Sequence, residues 1–218
     1  MIRYKNRTYI LNTIEKERLM TGKTHLTVGT ASALVFTKPQ TLKELTLCIG
    51  VAAIGSLICD IDVKTTKSHK TADRIIPLSI IAAVLCWYME YRYSLGIFDS
   101  FKRDSNIARL MLGFAAFLVI CWFGKEQPHR SFMHSILACL LLTGAVYVMF
   151  PAVAEYFGIA MASHMIIDTL NYKNVKLLYP LKTGVSFNVC HAKGPINNYV
   201  GYAGMIVIVL EGILFFNF

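Results

Sequence analysis

Charge is scarce in this chain. Asp, Glu, Lys and Arg together make up 16% of its 218 residues, where an ordinary soluble domain carries roughly 25%. Apolar residues take 55% and recur in runs along nearly the whole length, which excludes a soluble protein with a greasy core and indicates a polytopic helical membrane protein. Acidic residues are scarcer than basic ones, 13 against 22, for a formal net charge of +9. In a soluble protein that excess would suggest nucleic acid. In a membrane protein it first reports which loops face the cytoplasm, and no nucleic-acid partner is expected. Paired cysteines are lacking: Cys48, Cys59, Cys86, Cys121, Cys139 and Cys190 form no C-x-x-C pair, and most lie in or beside apolar runs. That argues against a disulfide framework or a thiolate metal site and for packing roles. A secretory signal is lacking as well. The stretch 1–19, "MIRYKNRTYILNTIEKERL", is basic, but no apolar core or cleavage site follows directly. It reads as a basic N-terminal extension (an amphipathic surface helix, a mobile tail, or an artefact of start-site choice, since Met20 opens a second start). One membrane domain over 20–218 is expected to follow, a length suited to a single core.

What is present is a series of seven apolar segments, at roughly 24–37, 44–59, 75–93, 107–123, 131–150, 152–170 and 199–216. The expected fold is an all-α transmembrane bundle of about seven helices with a polar metal site at one end. The first segment, "THLTVGTASALVF", is rich in small residues suited to close helix packing. Pro151 suits the start of the sixth. Threading the segments alternately across a membrane places sixteen of the 22 Lys and Arg residues on the N-terminal side and six on the other. The N-terminus is therefore expected in the cytoplasm and the C-terminus outside. The same threading collects all six histidines, His25, His69, His129, His134, His164 and His191, on the cytoplasmic side with Asp60, Asp62 and Asp168.

The short motifs are weak singly. "HMIID" sets His164 and Asp168 four apart on one helix face, as a ligand pair or as a hydrogen-bonded pair. "CDID" sets Asp60 and Asp62 where the second segment ends. An extended exit would aim both the same way and call for a cation between them, while a solvated loop would leave Lys64 and Lys67 as counter-charges. "PHRSFMHS" holds His129, Arg130 and His134 at the mouth of an apolar run, where ionisable groups need partners. Pro128 suggests that the helix begins about there, which would leave Arg130 at a helix N-terminus fit to bind an anion; a snorkelling Arg is the plainer alternative. "TGKTH" brings Lys23 and His25 to the head of the first segment, but it lacks the rest of a P-loop. Together these pieces make four histidines and three carboxylates, drawn from four places to one bundle end. Imidazole and carboxylate without thiolate suit Zn²⁺, Mn²⁺ or Fe²⁺. Seven ligands exceed the needs of one tetrahedral ion, so two or more ions are expected, an arrangement that suits phosphoester cleavage.

The blocks "MTGKTHLTVG", "GSLICDID", "HRSFMHS" and "ASHMIIDTLN…LLYPL", in this order from Met20 to about Leu181, resemble the LexA-regulated, bacterial inner-membrane metal-dependent hydrolases. That family is held to be distantly similar to zinc-dependent phospholipases C and fungal single-strand nucleases. The resemblance implies that His25, Asp60, Asp62, His129, His134, His164 and Asp168 belong to the metal site. The chain departs from the family where Cys59 replaces a common Pro, and where Ser131 and Met133 replace a common Gly and Thr; these departures bear on substrate shape more than on metal binding.

The functional expectation is an integral membrane hydrolase. It would act on a phosphoester of a membrane lipid or lipid-linked substrate, with Zn²⁺ the first candidate metal. Asp60 or Asp62 would bridge metals or orient the attacking water, and Arg130 would hold a phosphate oxygen. The alternative is a transporter or channel for a cation or proton using the same cluster. That reading predicts polar groups toward the midplane, where segment interiors on the far side offer little beyond Glu90 and Glu211. A membrane scaffold with a purely structural cluster is a third option.

Overall fold

The computed structural model describes residues 22–63, 105–189 and 194–217, together with scattered helical positions between 70 and 92. Among the described residues six α-helices have defined bounds, in order: α1 (Gly22–Thr37), α2 (Leu42–Ile58), α3 (Ser105–Lys125), α4 (Ile136–Met149), α5 (Pro151–Thr169) and α6 (Pro195–Asn217). Two single 3-10 turns interrupt them, Cys59–Asp62 after α2 and Phe132–His134 before α4. Among the described residues there is no strand; an isolated antiparallel bridge joins Val175 and Val185. The expected all-helical bundle is observed. The described positions within the third expected segment, 75–93, are helical, but most of that segment lies outside the described residues, as do residues 1–19, His69, His191, Cys86 and Cys190. Cys48, Cys59, Cys121 and Cys139 are free thiols.

Local chemistry sets the helix ends. Lys38 turns left-handed at φ 43 and its N–H reaches back to the Leu34 carbonyl; Pro39 then forbids continuation. Thr41 caps α2 by accepting the Glu44 N–H, while the Glu44 carboxylate accepts the Gln40 N–H. Ser135 caps α4 by accepting the Ala138 N–H, so the helix expected to begin near Pro128 begins at Ile136 instead. Only Phe150 separates α4 from α5, whose first residue is Pro151.

Helix α5 is the centre of the bundle. It packs against α1, α2 and α4, while α6 covers α1 and α3 covers α4. Eleven of its 19 residues are buried, His164 and Asp168 among them, so most of its surface meets other parts of the protein. The outward helices show the opposite pattern. Tyr202, Ile206, Val209, Ile213 and Phe216 of α6 and Leu112, Val119 and Trp122 of α3 are all exposed, a surface fit for acyl chains and unfit for water. Among the described residues three stretches are long and apolar enough to cross a membrane, Leu42–Asp62, Asn106–Lys125 and Pro195–Asn217, and α4 is a shorter apolar helix.

Close approach of α2 to α5 depends on Gly55. A Cβ there would lie 2.6 Å from the Phe157 carbonyl oxygen and 3.2 Å from its Cα, backbone atoms that yield only if the helices part. Gly55→Ala is expected to destabilise the protein by about 1–3 kcal/mol, read as a lower thermal midpoint in detergent. Gly50→Ala, with nothing within 4 Å, should leave the midpoint unchanged or higher. Equal midpoints for the two variants would show that α2 and α5 do not meet at Gly55.

Candidate metal centre

Four chain segments end at the same end of the bundle, and each contributes polar side chains. His25 stands in the first turn of α1 and is 2% exposed. Asp60 and Asp62 lie on the 3-10 turn that prolongs α2. His129, Arg130 and His134 occupy the irregular stretch ahead of α4, and His164 and Asp168 the last turns of α5. The extended exit expected for "CDID" is replaced by the 3-10 turn. With about three residues per turn, positions two apart point about 120° away from one another, so the two carboxylates serve different neighbours. Likewise His129 and His134 do not share a helix. Arg130 between them has φ 63, a left-handed conformation that a helix cannot contain.

The four imidazoles form a row. His25 stacks on His164 with ring centroids 3.8 Å apart and 19° between planes. His164 meets His134 edge-on at 5.2 Å, and His134 meets His129 edge-on at 5.1 Å. Carboxylates flank the row. Asp168 lies 3.4 Å from His25, 3.0 Å from His134 and 3.6 Å from His164; Asp60 is 3.8 Å from His164; Asp62 is 2.8 Å from His129 and 3.4 Å from His134. All seven residues singled out by the sequence motifs are therefore neighbours.

Arg130 and Asn171 hold this arrangement from behind. The Arg130 guanidinium donates through Nη2 to Asp168 Oδ1 at 2.9 Å and through Nη1 to the Lys173 carbonyl at 2.6 Å, while its backbone N–H donates to Asp62 Oδ2 at 3.2 Å. One residue thus ties the carboxylate at the end of α5 to the carboxylate after α2. It is 2% exposed, so the expected anion clamp has two guanidinium nitrogens engaged inside the protein. Asn171 is fully buried and donates to the same Asp168 oxygen at 2.8 Å, which leaves Oδ2 turned toward His134 and His164. No motif singles out Asn171, although it closes the block "ASHMIIDTLN". The His164 Nδ1–H donates to the Ser56 carbonyl at 2.6 Å, in the last turn of α2. That bond fixes the tautomer and turns the Nε2 lone pair into the site. No side-chain motif announces this partner.

Burial disfavours a charged His134, but the adjoining carboxylates of Asp62 and Asp168 outweigh it and raise its pKa to about 10. A cation taking His134 as a ligand has to displace that proton.

The burial of the imidazole nitrogens favours a metal. His25 Nδ1, both nitrogens of His134 and His164 Nε2 are buried without a hydrogen-bond partner; the close His134 and His164 approaches to carboxylates are distances without hydrogen-bond alignment. Buried polar atoms normally find partners, and among the described residues all those without one belong to this cluster except Thr143 Oγ1. Among the described residues three groups have one ligand atom per residue within 4.8 Å of one another: His25, His164 and Asp168; Asp60, His134 and His164; and Asp62, His129 and His134. His164 has one lone pair to offer, since Nδ1 is committed to Ser56. The first and third groups can be used together with no imidazole shared, whereas the middle group competes with both.

An all-helical chain with lipid-fit outer faces and buried His and Asp side chains at one bundle end defines an integral membrane protein with a candidate metal centre. The chain belongs to the YdjM inner membrane protein family, whose model matches residues 20–216. No curated protein and no solved structure matches it.

The Arg130–Asp168 pair is open to a double-mutant cycle. Arg130→Met takes the guanidinium away from the buried Asp168 carboxylate, which keeps Asn171 and the imidazoles, and is expected to cost about 3–5 kcal/mol. Asp168→Asn added to it should cost less than the sum of the two single changes by at least about 1 kcal/mol, read from denaturation in detergent. Additive losses would show that the two side chains do not act on one another.

Proposed function

We propose that this protein is a membrane-embedded, metal-dependent hydrolase that cleaves a phosphoester of a membrane lipid or lipid-linked substrate at the cytoplasmic face. The observation that carries the reading is the cluster of unpartnered buried imidazole nitrogens among three carboxylates at one end of the bundle. Nitrogen and oxygen donors without thiolate suit Zn²⁺, with Mn²⁺ or Fe²⁺ as alternatives. In this reading His25, His164 and Asp168 hold one ion, and Asp62, His129 and His134 hold another. Such a pair supplies Lewis acidity and a more acidic water, the chemistry of phosphoester cleavage.

The chain's own residues divide the remaining work. The Asp62 side chain is fully buried and engaged by His129 and the Arg130 N–H, whereas the Asp60 side chain is 20% exposed. Asp60 is then the carboxylate placed to take a proton from the attacking water, and Asp62 a ligand. Arg130 keeps the two ligand carboxylates at a set separation. The basic loops expected at this bundle end put it on the cytoplasmic side, with the C-terminus outside.

A transporter built on the same cluster needs polar groups that continue toward the midplane. One and two turns along α5 from His164 the buried residues are Ala160, Met161 and Phe157, packed in cores that include Ala52 and Leu142. The hydroxyls of Ser56 and Ser163 are buried near His164, but among the described residues no buried acidic, basic or imidazole side chain continues the cluster along α5, which favours chemistry at the surface over passage of an ion.

Metal-loaded protein in mixed micelles with phospholipids is expected to release phosphorylated head groups, and a chelator should abolish release. Asp60→Asn should lower the rate by about 10²–10⁴-fold with metal content retained. Cation flux in proteoliposomes without any such release would contradict hydrolysis and support transport.

A further inference from the structure

We infer that residues 171–189 form a flap whose outer face lies on the surface of an anionic bilayer, at the mouth of the candidate metal centre. The segment is long for a connection, yet it is a built element. Its two arms meet at the Val175–Val185 bridge. One edge is fixed to the stretch ahead of α4: the Ile136 N–H donates to the Leu177 carbonyl at 2.9 Å, the Lys176 N–H to the Arg130 carbonyl at 3.0 Å, and Arg130 to the Lys173 carbonyl. The other edge is fixed to the end of α5, where the Phe187 N–H donates to the Thr169 carbonyl at 2.7 Å and the Val189 N–H to the Leu170 carbonyl at 2.9 Å. Arg130 therefore connects the flap to Asp168 and Asp62 directly.

The outer face of the flap is wrong for water. Leu178 is 58% exposed, Leu181 57%, Phe187 64% and Val189 48%. Connections that face solvent do not gather large apolar side chains in this way. Lysines accompany them: Lys182 is exposed, Lys173 and Lys176 half-buried, and no Asp or Glu occurs between Asp168 and Glu211. Apolar side chains beside lysines, in a segment without acidic residues, are the pattern of an element that seats in the acyl boundary and attracts anionic head groups. The helix ends to which the flap is hydrogen-bonded carry exposed apolar side chains too, Ile136 at the start of α4 and Ile166 near the end of α5. The charge also decides the occupant, because a second copy would bring like-charged lysines face to face. The docking stands on these observations alone. Its consequence, that an anionic amphiphile reaches the centre from the bilayer plane, rests on the function proposed above.

The test is optical and needs no turnover. Trp87 and Trp122 are replaced by Phe, and Phe187→Trp or Leu178→Trp supplies a single reporter in full-length protein reconstituted into vesicles. Phospholipids brominated high on the acyl chain are expected to quench either reporter at least two-fold in phosphatidylglycerol and less in phosphatidylcholine. Lys176→Gln with Lys182→Gln should remove that difference while metal content stays unchanged. Water-like emission with no quenching in either lipid would overturn the inference, even if the protein hydrolyses lipid. Unquenched but blue-shifted emission, together with cross-linking of two copies through the flap, would overturn it in favour of self-association. Quenching without lipid hydrolysis would leave the flap standing and remove only the hydrolase reading.

Discussion

Asp168 brings a carboxyl group into a place from which water is nearly excluded, and the surrounding chain answers it from every side. Arg130 and Asn171 hold one oxygen, and His25, His134 and His164 face the group. A buried carboxylate without such partners would cost several kcal/mol. The partners come from α1, from the stretch before α4, and from α5 and the turn after it, so two distant parts of the chain have to arrive together for the end of α5 to be tolerable. That requirement makes α5 the central helix and brings the ends of α1, α2 and α4 to one level.

The same constraint explains the irregular backbone at this end. A helix continued through residues 128–135 would spread His129, Arg130 and His134 around its circumference. The left-handed Arg130 and the short 3-10 turn instead bring both imidazoles to Asp62 while the guanidinium reaches Asp168. Strained conformations of this kind persist where the surroundings over-determine them, and they concentrate at functional sites. The 3-10 turn after α2 acts similarly, sending Asp60 toward His164 and Asp62 toward His129 and His134.

Much of this is legible in the amino-acid sequence. Apolar runs outline the described helices within a few residues, because a lipid-facing or buried helix has to be apolar almost throughout. The seven clustered residues are legible because ionisable groups at the ends of apolar runs need a reason to be there. Backbone detail is not. Pro128 resembles a helix start, but the Ser135 cap decides where α4 begins, and "CDID" carries no sign of its 3-10 turn. Arg130 is legible as a cation in need of an anion, yet its partner, Asp168, is 38 residues away and its spacing to His164 suggests only a ligand. The Ser56 carbonyl is invisible in principle, since a backbone acceptor has no residue type.

Whether the row of imidazoles is a metal centre is decided most directly by counting ions. Elemental analysis of protein purified in detergent is predicted to find two divalent ions per chain. His25→Ala and His129→Ala should each lose one and keep the other, because each serves a separate group of ligands. Wild-type protein without stoichiometric metal after loading with Zn²⁺, Mn²⁺ or Fe²⁺, or full metal content in both variants, would contradict the account.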